Sequence, residues 1–412
     1  MTAGVPDFVQ ALDRADPLGG FRQRFSLPDD VIYLDGNSLG ALPAETVPRL
    51  EKKLREEWGD GLIRSWNTHD WVGAPRRVGD KIAHLIGAGR GEVVVADSTS
   101  VNIFKLLMAA LGARPGRNVI LTEAGNFPTD LYVAQGIAGL LSNIVVRAVA
   151  SEEIGAALND DVAVLLLTHV HYKTGDRYDM AEITRRAHAC GALVIWDLSH
   201  SAGAVDVDLG GAGADMAVGC GYKYLNGGPG APAFLYVARR LQATLRSPIT
   251  GWFGHAEPFA FDDGFCPAGD IGRFLSGTPP VLGLMALETG IDLMREAPRD
   301  LLFQKSQTLC SLFIDEADAR CGGHGLALVT SRDASKRGSH VSLRHADGYP
   351  IVQALIARGI IGDFRAPDIL RFGFAPLYLR FADVWRAVDA LRDILETRAW
   401  DEERFRTRAA VT

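Results

Sequence analysis

The sequence of 412 residues predicts an α/β fold with a mainly parallel sheet and a second, smaller α+β domain. Between residues 90 and 240, short apolar runs rich in β-branched residues alternate with stretches of helical periodicity, which is typical of βαβ units. The run 162–168 is almost continuously apolar, as expected for a strand that helices cover on both faces. At roughly 100–200 residues per domain, the length suggests two or three domains.

Each element of the first part has its own signal. Runs dominated by apolar and β-branched residues predict buried strands at 92–97, 118–123, 162–169, 193–200, 215–219 and 231–237. Apolar residues at helical spacing predict connecting helices at 100–113, 129–141 and 179–191. The last of these helices ends on Gly191, a residue suited to a helix C-cap.

The C-terminal third follows a different pattern. A long helical stretch is predicted over 280–319, and the elements after it are strands at 327–330, 340–345 and 369–374 and helices at 350–358 and 382–398. This mixed order predicts a small α+β domain at 286–412 beside a large domain at 56–285. The N-terminal segment, residues 1–55, is too short to form its own core. We therefore expect it to pack on the small domain or on a partner subunit.

Charge and hydropathy argue against two classes of function. The formal net charge is −7 and no run of Lys and Arg occurs, so we expect neither a dedicated nucleic-acid binder nor a polybasic membrane-surface protein. The longest apolar run is far shorter than the ~20 residues that span a bilayer. The N-terminus lacks a basic region followed by an apolar one, so no secretory signal is expected.

Cysteine usage predicts a reducing compartment. The five cysteines stand at positions 190, 220, 266, 310 and 321, an odd number without a CxxC motif. This pattern indicates reduced thiols in the cytoplasm, and it favours neither a disulfide framework nor a zinc site. We expect no metal centre.

A lysine and an aspartate form the most informative pair. Asp197 ends the apolar stretch LVIWD, and Lys223 lies in GCGYKYLNGGPG. Each follows a predicted strand, so both would reach the crevice at the carboxyl ends of parallel strands. Lysines in such surroundings form Schiff bases, and the pyridinium nitrogen of pyridoxal phosphate would be a cationic partner for a buried aspartate. On these two residues alone, a helix-capping aspartate and a surface lysine are an equally good interpretation.

Other strand ends in this part carry polar or aromatic residues. The hydroxyls at 98–100 lie between a strand and a helix, where a phosphate or an ordinary N-cap is found. Phe127 follows the next strand and would stack on a planar ring, or pack as a core aromatic beside a turn. Thr168 ends the strand after that, and His200 follows Asp197 by three residues. Their convergence on one sheet edge favours a ligand site over the separate alternatives.

Motifs along nearly the whole chain resemble those of a known family. They include YLDGNSLGALP, GLIRSWN, STSVNIFK, NFPTDLY, LLLTHVHYKTG, IWDLSHSAGAVDVDL, GCGYKYLNGGPGAPAF, GWFGH, FLSGTPP, KRGSHVSL and LRFGFAPLY. The chain resembles fold-type I pyridoxal-phosphate enzymes and, among them, the kynureninases. The resemblance implies a seven-stranded type of sheet in the large domain and pyridoxal 5'-phosphate as the cofactor.

The resemblance also assigns roles at matching positions. The cofactor would be contacted by Ser98, Thr99, Ser100, Phe127, Asp130, Thr168, Asp197, His200, Tyr222 and Lys223. Lys223 would form the Schiff base, Asp197 would pair with the pyridine nitrogen and Phe127 would stack on the ring. Tyr222 would bond the phosphate and is the candidate proton donor. Which two of the three hydroxyls at 98–100 donate to the phosphate stays open.

Further residues would act on the substrate or across a subunit boundary. Arg371, inside an apolar strand, would hold the substrate carboxylate in a bidentate pair. Trp252 and Thr278 would reach the phosphate from the partner subunit, which implies a homodimer. Trp66, Gly277 and Thr278 would shape the aryl pocket. A threonine at 278 matches the bacterial pattern that favours kynurenine over 3-hydroxykynurenine.

One position departs from the family pattern. His171 stands where relatives carry asparagine in HVNYKTG. With His169 it forms an alternating pair at a strand end, which in principle suits a metal, but no third ligand is evident. We expect the departure to change only local hydrogen bonding.

The implied reaction is hydrolysis of the Cβ–Cγ bond of L-kynurenine to anthranilate and L-alanine in tryptophan degradation, the kynurenine pathway that also feeds NAD biosynthesis. 3-Hydroxykynurenine is a second expected substrate. One alternative is a cysteine desulfurase-like lyase or an aminotransferase relative on the same fold, for which Cys266 would be the reactive thiol. Another is a non-catalytic binding protein that kept the fold, against which the set of Lys223, Asp197 and Arg371 argues.

Overall fold

A computed structural model describes residues 4–408 of the chain. In this part the α-helices, α1 to α13, are Asp7–Ala15, Thr46–Lys52, Ser65–Thr68, Ala74–Leu85, Thr99–Gly112, Pro128–Leu140, Ile154–Ala157, Met180–Ala189, Arg239–Gln242, Val281–Glu296, Arg299–Arg320, Gly348–Ile356 and Phe381–Thr397. The strands, β1 to β13, are Ile32–Tyr33, Val93–Val95, Val119–Glu123, Val145–Val149, Val162–Thr168, Leu193–Asp197, Met216–Gly219, Phe234–Val237, Ala327–Leu328, His340–Arg344, Ile360–Ile361, Asp363–Arg365 and Ile369–Gly373. None of the helices between residues 4 and 408 is long and apolar enough to cross a membrane.

The large sheet has seven strands in the order β2-β8-β7-β6-β5-β3-β4. The strands from β7 to β4 pair in parallel, and β8 runs antiparallel to its two neighbours. The prediction of an α/β fold with a mainly parallel sheet is therefore confirmed. The parallel strands point their carboxyl ends toward one edge, where ligands bind in folds of this kind.

Apolar residues cover both faces of this sheet. All seven residues of β5 are buried, as the uninterrupted apolar run predicts. Along β6, Val194 and Trp196 belong to one hydrophobic cluster, whereas Leu193 and Ile195 belong to the cluster on the other side. This alternation follows from the two-residue period of a strand. A sheet buried on both faces makes a rigid platform for side chains at its edge.

Several elements differ from the expectations. β4 was not predicted because it lies at the sheet edge, where its residues are half-buried or exposed and Arg147 interrupts the apolar run. The strand predicted at 193–200 ends at Asp197, since the chain turns there and the Ser199 amide donates to Asp197 Oδ1 at 2.8 Å. The helix predicted over 280–319 is two helices, because Pro298 lacks an N–H and disfavours helical geometry in the residue before it.

The C-terminal part contains a four-stranded antiparallel sheet in the order β12-β13-β10-β9. The N-terminal segment forms backbone hydrogen bonds with this part and with the loop that follows β7 of the large sheet. Its strand β1 pairs with β11, and the Gly373 amide donates to the Leu34 carbonyl at 2.6 Å. At the other end, the Gly40 amide donates to the Tyr222 carbonyl at 2.8 Å. The segment therefore links the small sheet to the loop that carries Lys223.

Candidate active site

A cavity of about 130 Å³ lies at the carboxyl edge of the large sheet. The lining residues are Ser98, Thr99, Ser100, Phe127, Thr129, Asp130, Thr168, Tyr172, Asp197, Ser199, His200, Tyr222 and Lys223. They belong to segments at or after the ends of β2, β3, β5, β6 and β7. All ten residues of this chain that were expected to contact the cofactor therefore lie around one cavity.

Lys223 is buried at the centre of this group, with 8% of its surface exposed. Its Nζ lies 3.0 Å from His200 Nε2 and 5.7 Å from the centre of the Phe127 ring. Burial, together with Lys223, lowers the pKa of His200 well below its ordinary value, so the imidazole is neutral and its Nε2 can accept a hydrogen bond from Lys223 Nζ. A Cβ at Gly40 would lie 2.2 Å from the Lys223 carbonyl oxygen, so only glycine allows the N-terminal segment to approach the lysine loop this closely.

Two aspartates are buried beside the lysine. Asp130 is 1% exposed and Asp197 is 3% exposed. Neither carboxylate oxygen of Asp130 has a hydrogen-bond partner within the described residues. Burial raises the pKa of Asp130 well above its ordinary value and the Asp197 carboxylate raises it further, although Lys223 and the nearby polar side chains of Thr168 and Asn126 oppose the shift. Burial also raises the pKa of Asp197, although the Ser199 hydrogen bonds and Lys223 oppose the shift. Two buried carboxyls therefore face one lysine at this end of the cavity, and a further cationic group would be stabilised there.

The other end of the cavity is suited to an anion. Helix α5 begins at Thr99, and the Ser98 hydroxyl caps it by accepting from the Val101 amide at 3.4 Å. The first turn of a helix presents free N–H groups and a positive dipole end. Asp97, which precedes the cap, is paired with the Lys105 ammonium, and the Lys105 side chain is fully buried. The pair keeps the negative charge of Asp97 balanced beside this anion site.

The residues present fit pyridoxal phosphate. Its phosphate matches the helix terminus and hydroxyls at 98–100, and a protonated ring nitrogen matches the two buried carboxyls. Asp130 supports the fit most directly, because a buried carboxyl without a hydrogen-bond partner is costly unless a ligand satisfies it. The Phe127 side chain, 38% exposed, can cover the face of a planar ring between these two ends.

Arg371 lies outside this cavity but is connected to its wall. The guanidinium, only 1% exposed, donates from Nη1 to the Tyr172 carbonyl at 2.7 Å. Its Nε donates to Asp363 Oδ1 at 2.8 Å, and its Nη2 donates to Asp363 Oδ2. Burial alone would raise the pKa of Asp363, but Arg371 holds it below its ordinary value. Arg371 is therefore charged and already paired.

A second acid extends this buried cluster. Burial, followed by the nearby Asp363 carboxylate, raises the pKa of Asp35 to about 7. Arg371 and Arg365 oppose the shift without cancelling it. Near neutral pH the cluster therefore holds two guanidinium cations against one full carboxylate charge and one partly protonated acid, which favours an added anion.

Besides Arg371, four predicted residues do not line the cavity of this chain. Trp66 packs against Trp71 and Phe253, with ring centres 5.6 Å and 5.9 Å away. The other three are exposed: Trp252, Gly277 and Thr278. Nothing within residues 4–408 of the same chain lies within 4 Å of a Cβ built on Gly277. The structure thus separates these residues from the group around Lys223.

Residues that the sequence did not single out also shape the site. Thr129, Tyr172 and Ser199 line the cavity, and the Tyr172 ring meets the Phe127 ring edge-on at 5.2 Å between centres. Asn126 accepts from the Thr168 hydroxyl and, at 2.7 Å, from the Phe127 amide. Asn126 and Tyr172 could have been found from their positions in the sequence, because both follow the end of a parallel strand.

The two histidines after β5 have protein partners. His169 Nδ1 lies 2.9 Å from the Ser201 hydroxyl, and burial lowers the pKa of His169 to about 3. His171 Nε2 lies 3.0 Å from the Gly125 carbonyl, and its Nδ1 accepts from the Thr174 amide at 3.2 Å. In the described part of the chain, no group of three or more His, Cys, Asp or Glu side chains could hold a metal ion.

Comparison with known proteins places these residues in a family context. The family described as "Kynureninase C-terminal domain" matches residues 302–391. A kynureninase of Pseudomonas fluorescens is 51% identical over 408 residues, which cover 98% of each chain. A kynureninase of Burkholderia pseudomallei strain K96243 is 52% identical over the same length and coverage.

Solved structures with low sequence identity share the fold. The apo structure of a cysteine desulfurase from Thermococcus onnurineus NA1 has a TM-score of 0.76 at 18% identity, covering 96% of this chain and 100% of that one. The cysteine desulfurase CsdA from Escherichia coli has a TM-score of 0.76 at 21% identity, covering 92% and 98%. A C-DES variant with glycine covalently linked to its PLP cofactor has a TM-score of 0.75 at 17% identity, covering 90% and 99%. The predicted fold-type I class is confirmed by these likenesses.

Proposed function

The chain belongs to the kynureninase family, and from this premise we propose which of its residues carry out the family's reaction. The enzyme uses pyridoxal phosphate to hydrolyse the Cβ–Cγ bond of L-kynurenine, releasing anthranilate and L-alanine. The observation that carries the assignment of residues is the charge layout of the cavity. A lysine and two buried carboxyls lie at one end, and a helix N-terminus with three hydroxyls lies at the other.

Lys223 would hold the cofactor, and its amine would act as the base at the substrate Cα. Its Nζ is 3.0 Å from the neutral His200 imidazole, which can accept a hydrogen bond from the lysine and hold its side chain in position. Asp197 would pair with the ring nitrogen and keep it protonated, and Asp130 would lie beside it. When bound in this way, the cofactor supplies an electron sink for a carbanion at Cα.

Tyr222 is the candidate general acid. Burial raises the pKa of its phenol above the ordinary value, so the side chain keeps its proton at neutral pH and can donate it. The centre of its ring lies 5.9 Å from Lys223 Nζ, and this proximity supports a role for both groups at one reacting centre. Two of the three hydroxyls of Ser98, Thr99 and Ser100, together with the amides of the first turn of α5, would bind the phosphate.

Arg371 binds the α-carboxylate of the substrate. Its charge is paired with the buried Asp363 carboxylate, and Tyr172 connects it to the cavity wall. A guanidinium offers parallel N–H groups that match a carboxylate, which a lysine cannot do. The bound carboxylate would fix the orientation of Cα relative to Lys223 Nζ.

The active unit is a homodimer with shared sites. Trp252 and Thr278 are exposed and lie outside the cavity of their own chain, which is expected if they complete the cavity of a partner. A mainly apolar groove of about 650 Å³ runs beside the N-terminal segment and the loop after Lys223. Exposed apolar side chains along it include Leu39, Leu42 and Val47. An apolar surface of this kind supports burial against another subunit.

Mixing two inactive variants tests the shared site. A Lys223→Ala chain and a Thr278→Ala, Trp252→Ala double-variant chain should each have little activity as homodimers. Mixed dimers would contain one cavity with unaltered residues from both chains, so activity should recover to about one quarter of the unaltered level in a statistical mixture. No recovery despite exchange of subunits would contradict the sharing of residues, and a monomer by light scattering would contradict the dimer.

Thr278, Gly277 and Trp66 form the aryl pocket, with kynurenine preferred over its 3-hydroxy form. A threonine hydroxyl offers fewer hydrogen bonds than an asparagine amide to a ring hydroxyl. Thr278→Asn should therefore shift kcat/KM toward 3-hydroxykynurenine, and Thr278→Val serves as the matched control. An unchanged ratio of the two kcat/KM values would contradict the assignment.

The enzyme acts in the cytoplasm, in tryptophan degradation and NAD biosynthesis. All five cysteines are free thiols, including the exposed Cys266, which supports a reducing compartment. The desulfurase-like alternative is not favoured, because Cys266 is absent from the residues that line the cavity. Its backbone is instead paired with the neighbouring loop, where its carbonyl accepts from the Ala256 amide at 2.8 Å.

Anthranilate fluorescence provides the decisive test. Mixing the protein with pyridoxal phosphate and L-kynurenine should give a steady rise that disappears with Lys223→Ala. A rise that persists in the variant would contradict the role of Lys223. A lysine-bound cofactor spectrum without any rise would point to a binding protein, and sulfide release from cysteine would point to the desulfurase-like activity.

A further inference from the structure

The buried guanidinium of Arg371 has chemically different partners on its two outer edges. On the edge formed by Nε and Nη2, both nitrogens donate to the carboxylate of Asp363, and the Nε contact is 2.8 Å. On the edge formed by Nη1 and Nη2, the partners are the Tyr172 carbonyl at 2.7 Å and the Ser38 hydroxyl at 2.8 Å. One edge is therefore bound to a charge, and the other edge is bound to two neutral acceptors.

Asp363 is itself held in place from several directions. It lies directly opposite Arg371 in the antiparallel pair β12–β13, and its side chain is completely buried. Ser38 donates to Asp363 Oδ2 at 2.8 Å, and Arg365 donates to the same oxygen at 2.5 Å. In the orientation that satisfies its amide, the Asn37 oxygen accepts from Arg371 Nε at 2.9 Å. Side chains of the N-terminal segment and of the C-terminal part thus hold the Asp363 carboxylate in place.

The two edges should respond differently to an incoming carboxylate. The bonds to Asp363 add the Coulomb attraction between two opposite unit charges, which the bonds to neutral acceptors lack. Displacing Asp363 would also leave a buried carboxylate without its main partner, which is costly. The Tyr172 carbonyl and the Ser38 hydroxyl are the cheaper partners to exchange, and Tyr172 belongs to the wall of the cofactor cavity.

We propose that Asp363 is a positioning residue that keeps the Nη1–Nη2 edge of Arg371 turned toward the cavity, where the substrate α-carboxylate takes the place of the Tyr172 carbonyl and the Ser38 hydroxyl. This inference rests on the proposed role of Arg371 and adds the group that orients it. Asp363 does not touch the substrate. It acts only through the Arg371 side chain.

Asp363→Asn tests the proposal, because it keeps the shape of the side chain and removes its charge. KM for L-kynurenine should rise roughly 10- to 100-fold, the effect of losing a hydrogen bond to a charged group. The kcat should change less than about threefold, since the interaction is needed for binding rather than for a chemical step. Affinity for pyridoxal phosphate and the spectrum of the lysine-bound cofactor should not change. An unchanged KM, or a loss confined to kcat, would overturn the proposal.

A matched control removes a carboxylate from the same small sheet region. Asp368 lies outside the site and pairs with Arg344 near the surface, with 3.3 Å between Arg344 Nε and Asp368 Oδ2. Asp368→Asn should leave both KM and kcat unchanged. A rise in KM equal to that of Asp363→Asn would show a general effect of charge in this region and would overturn the positioning role.

A substrate analogue without the α-carboxylate separates this proposal from the proposed function. Decarboxylated kynurenine, tested as a competitive inhibitor, should bind equally well to the unaltered enzyme and to Asp363→Asn. If Arg371→Ala fails to weaken kynurenine binding relative to this analogue, the proposed role of Arg371 is wrong. If Arg371→Ala has the expected effect but Asp363→Asn does not, only the positioning role is wrong.

The unaltered enzyme offers a test that does not depend on a variant folding. A crystal structure of the holoenzyme soaked with L-alanine, which carries the same α-carboxylate, should show Arg371 still paired with Asp363 through Nε and Nη2. The Tyr172 carbonyl should no longer accept from Nη1. Release of Asp363, with Tyr172 still bound, would overturn the proposal.

Discussion

The cavity around Lys223 and the cluster around Arg371 are both buried and charged, but their hydrogen bonds are arranged in opposite ways. In the cavity, both carboxylate oxygens of Asp130 lack a partner within the described residues. In the cluster, Nε, Nη1 and Nη2 of Arg371 all donate to oxygens of the protein. The acid in the first region lacks such a partner, whereas the guanidinium of Arg371 in the second region is fully paired before a ligand binds.

The difference shows two ways of preparing a binding site. An unsatisfied buried acid lowers stability until a cationic group binds, so binding energy is gained directly from relieving that cost. A saturated guanidinium is stable before the ligand arrives, and binding exchanges neutral partners for a charged one. A permanently held cofactor suits the first arrangement, whereas a substrate that arrives and leaves in each cycle suits the second.

Replacing Lys223 should have the largest consequence, because it removes the group on which the first of the two regions depends. Lys223→Ala should reduce anthranilate formation by at least roughly 1,000-fold, since covalent attachment and base catalysis are both lost. The absorbance of the lysine-bound cofactor should disappear as well. Lys52→Ala, at an exposed lysine with 70% of its side chain accessible, is the control and should behave like the unaltered enzyme.

Removing Arg371 should damage both binding and folding. Arg371→Ala leaves Asp363 buried without its main partner, which should lower the free energy of unfolding by about 3–5 kcal/mol. KM for L-kynurenine should rise roughly 100-fold. Denaturant unfolding of the apo-enzyme and steady-state kinetics measure the two effects. An apo-enzyme of unchanged stability would show that the buried Asp363 carboxylate does not need the Arg371 guanidinium as its partner.

Asp130→Asn should raise the free energy of unfolding of the apo-enzyme, whereas Arg371→Ala should lower it. Burial raises the pKa of Asp130 in the native state, so the native chain keeps a proton that the unfolded chain releases above about pH 4. The free energy of unfolding should therefore fall as the pH rises above that value. In Asp130→Asn this fall should be smaller, and at pH 8 the apo variant should be more stable by about 1–3 kcal/mol.

The same variant should bind the cofactor more weakly, by roughly tenfold, because a neutral amide pairs less well with a protonated ring nitrogen. Titration with pyridoxal phosphate measures this loss. Asp160→Asn, at an exposed aspartate, is the control and should change neither property. A variant that is less stable than the unaltered apo-enzyme at pH 8 would show that Asp130 is already satisfied by protein groups.

Changing the ring of Phe127 should have the smallest effect. Phe127→Leu keeps an apolar side chain over the cavity but removes aromatic stacking, which is worth about 0.5–1.5 kcal/mol. The dissociation constant for pyridoxal phosphate should therefore rise only about two- to tenfold, with Phe8→Leu as a control at an exposed aromatic residue. A loss as large as that expected for Lys223→Ala would mean that Phe127 has more than a stacking role.

The fold was largely predictable because its main signals are local. The run Val162–Thr168 predicts a strand buried on both faces, and all seven of its residues are buried. The edge strand Val145–Val149 escaped prediction for the same reason, since its residues are not buried and leave no apolar run. Ala297 and Pro298 break the long C-terminal helix at a point that the helical periodicity alone did not reveal.

The candidate site was predictable where it follows strand ends. Asp197 and Lys223 could be singled out because parallel strands direct their carboxyl ends to one edge. The partners of Arg371 could not be found in this way. Ser38 precedes it by 333 residues, and the Tyr172 carbonyl precedes it by 199 residues. No local pattern in either stretch indicates that they meet.

By itself the sequence determined the class of fold, the order of most strands and helices, and the residues at the ends of the parallel strands. Those properties depend on periodicity and on turns within a few residues. Only the tertiary structure decided that Asp130 is left without a partner while Arg371 is fully paired. Such pairing depends on how the N-terminal segment, the large sheet and the small sheet pack together, and burial then decides whether each charge requires a ligand.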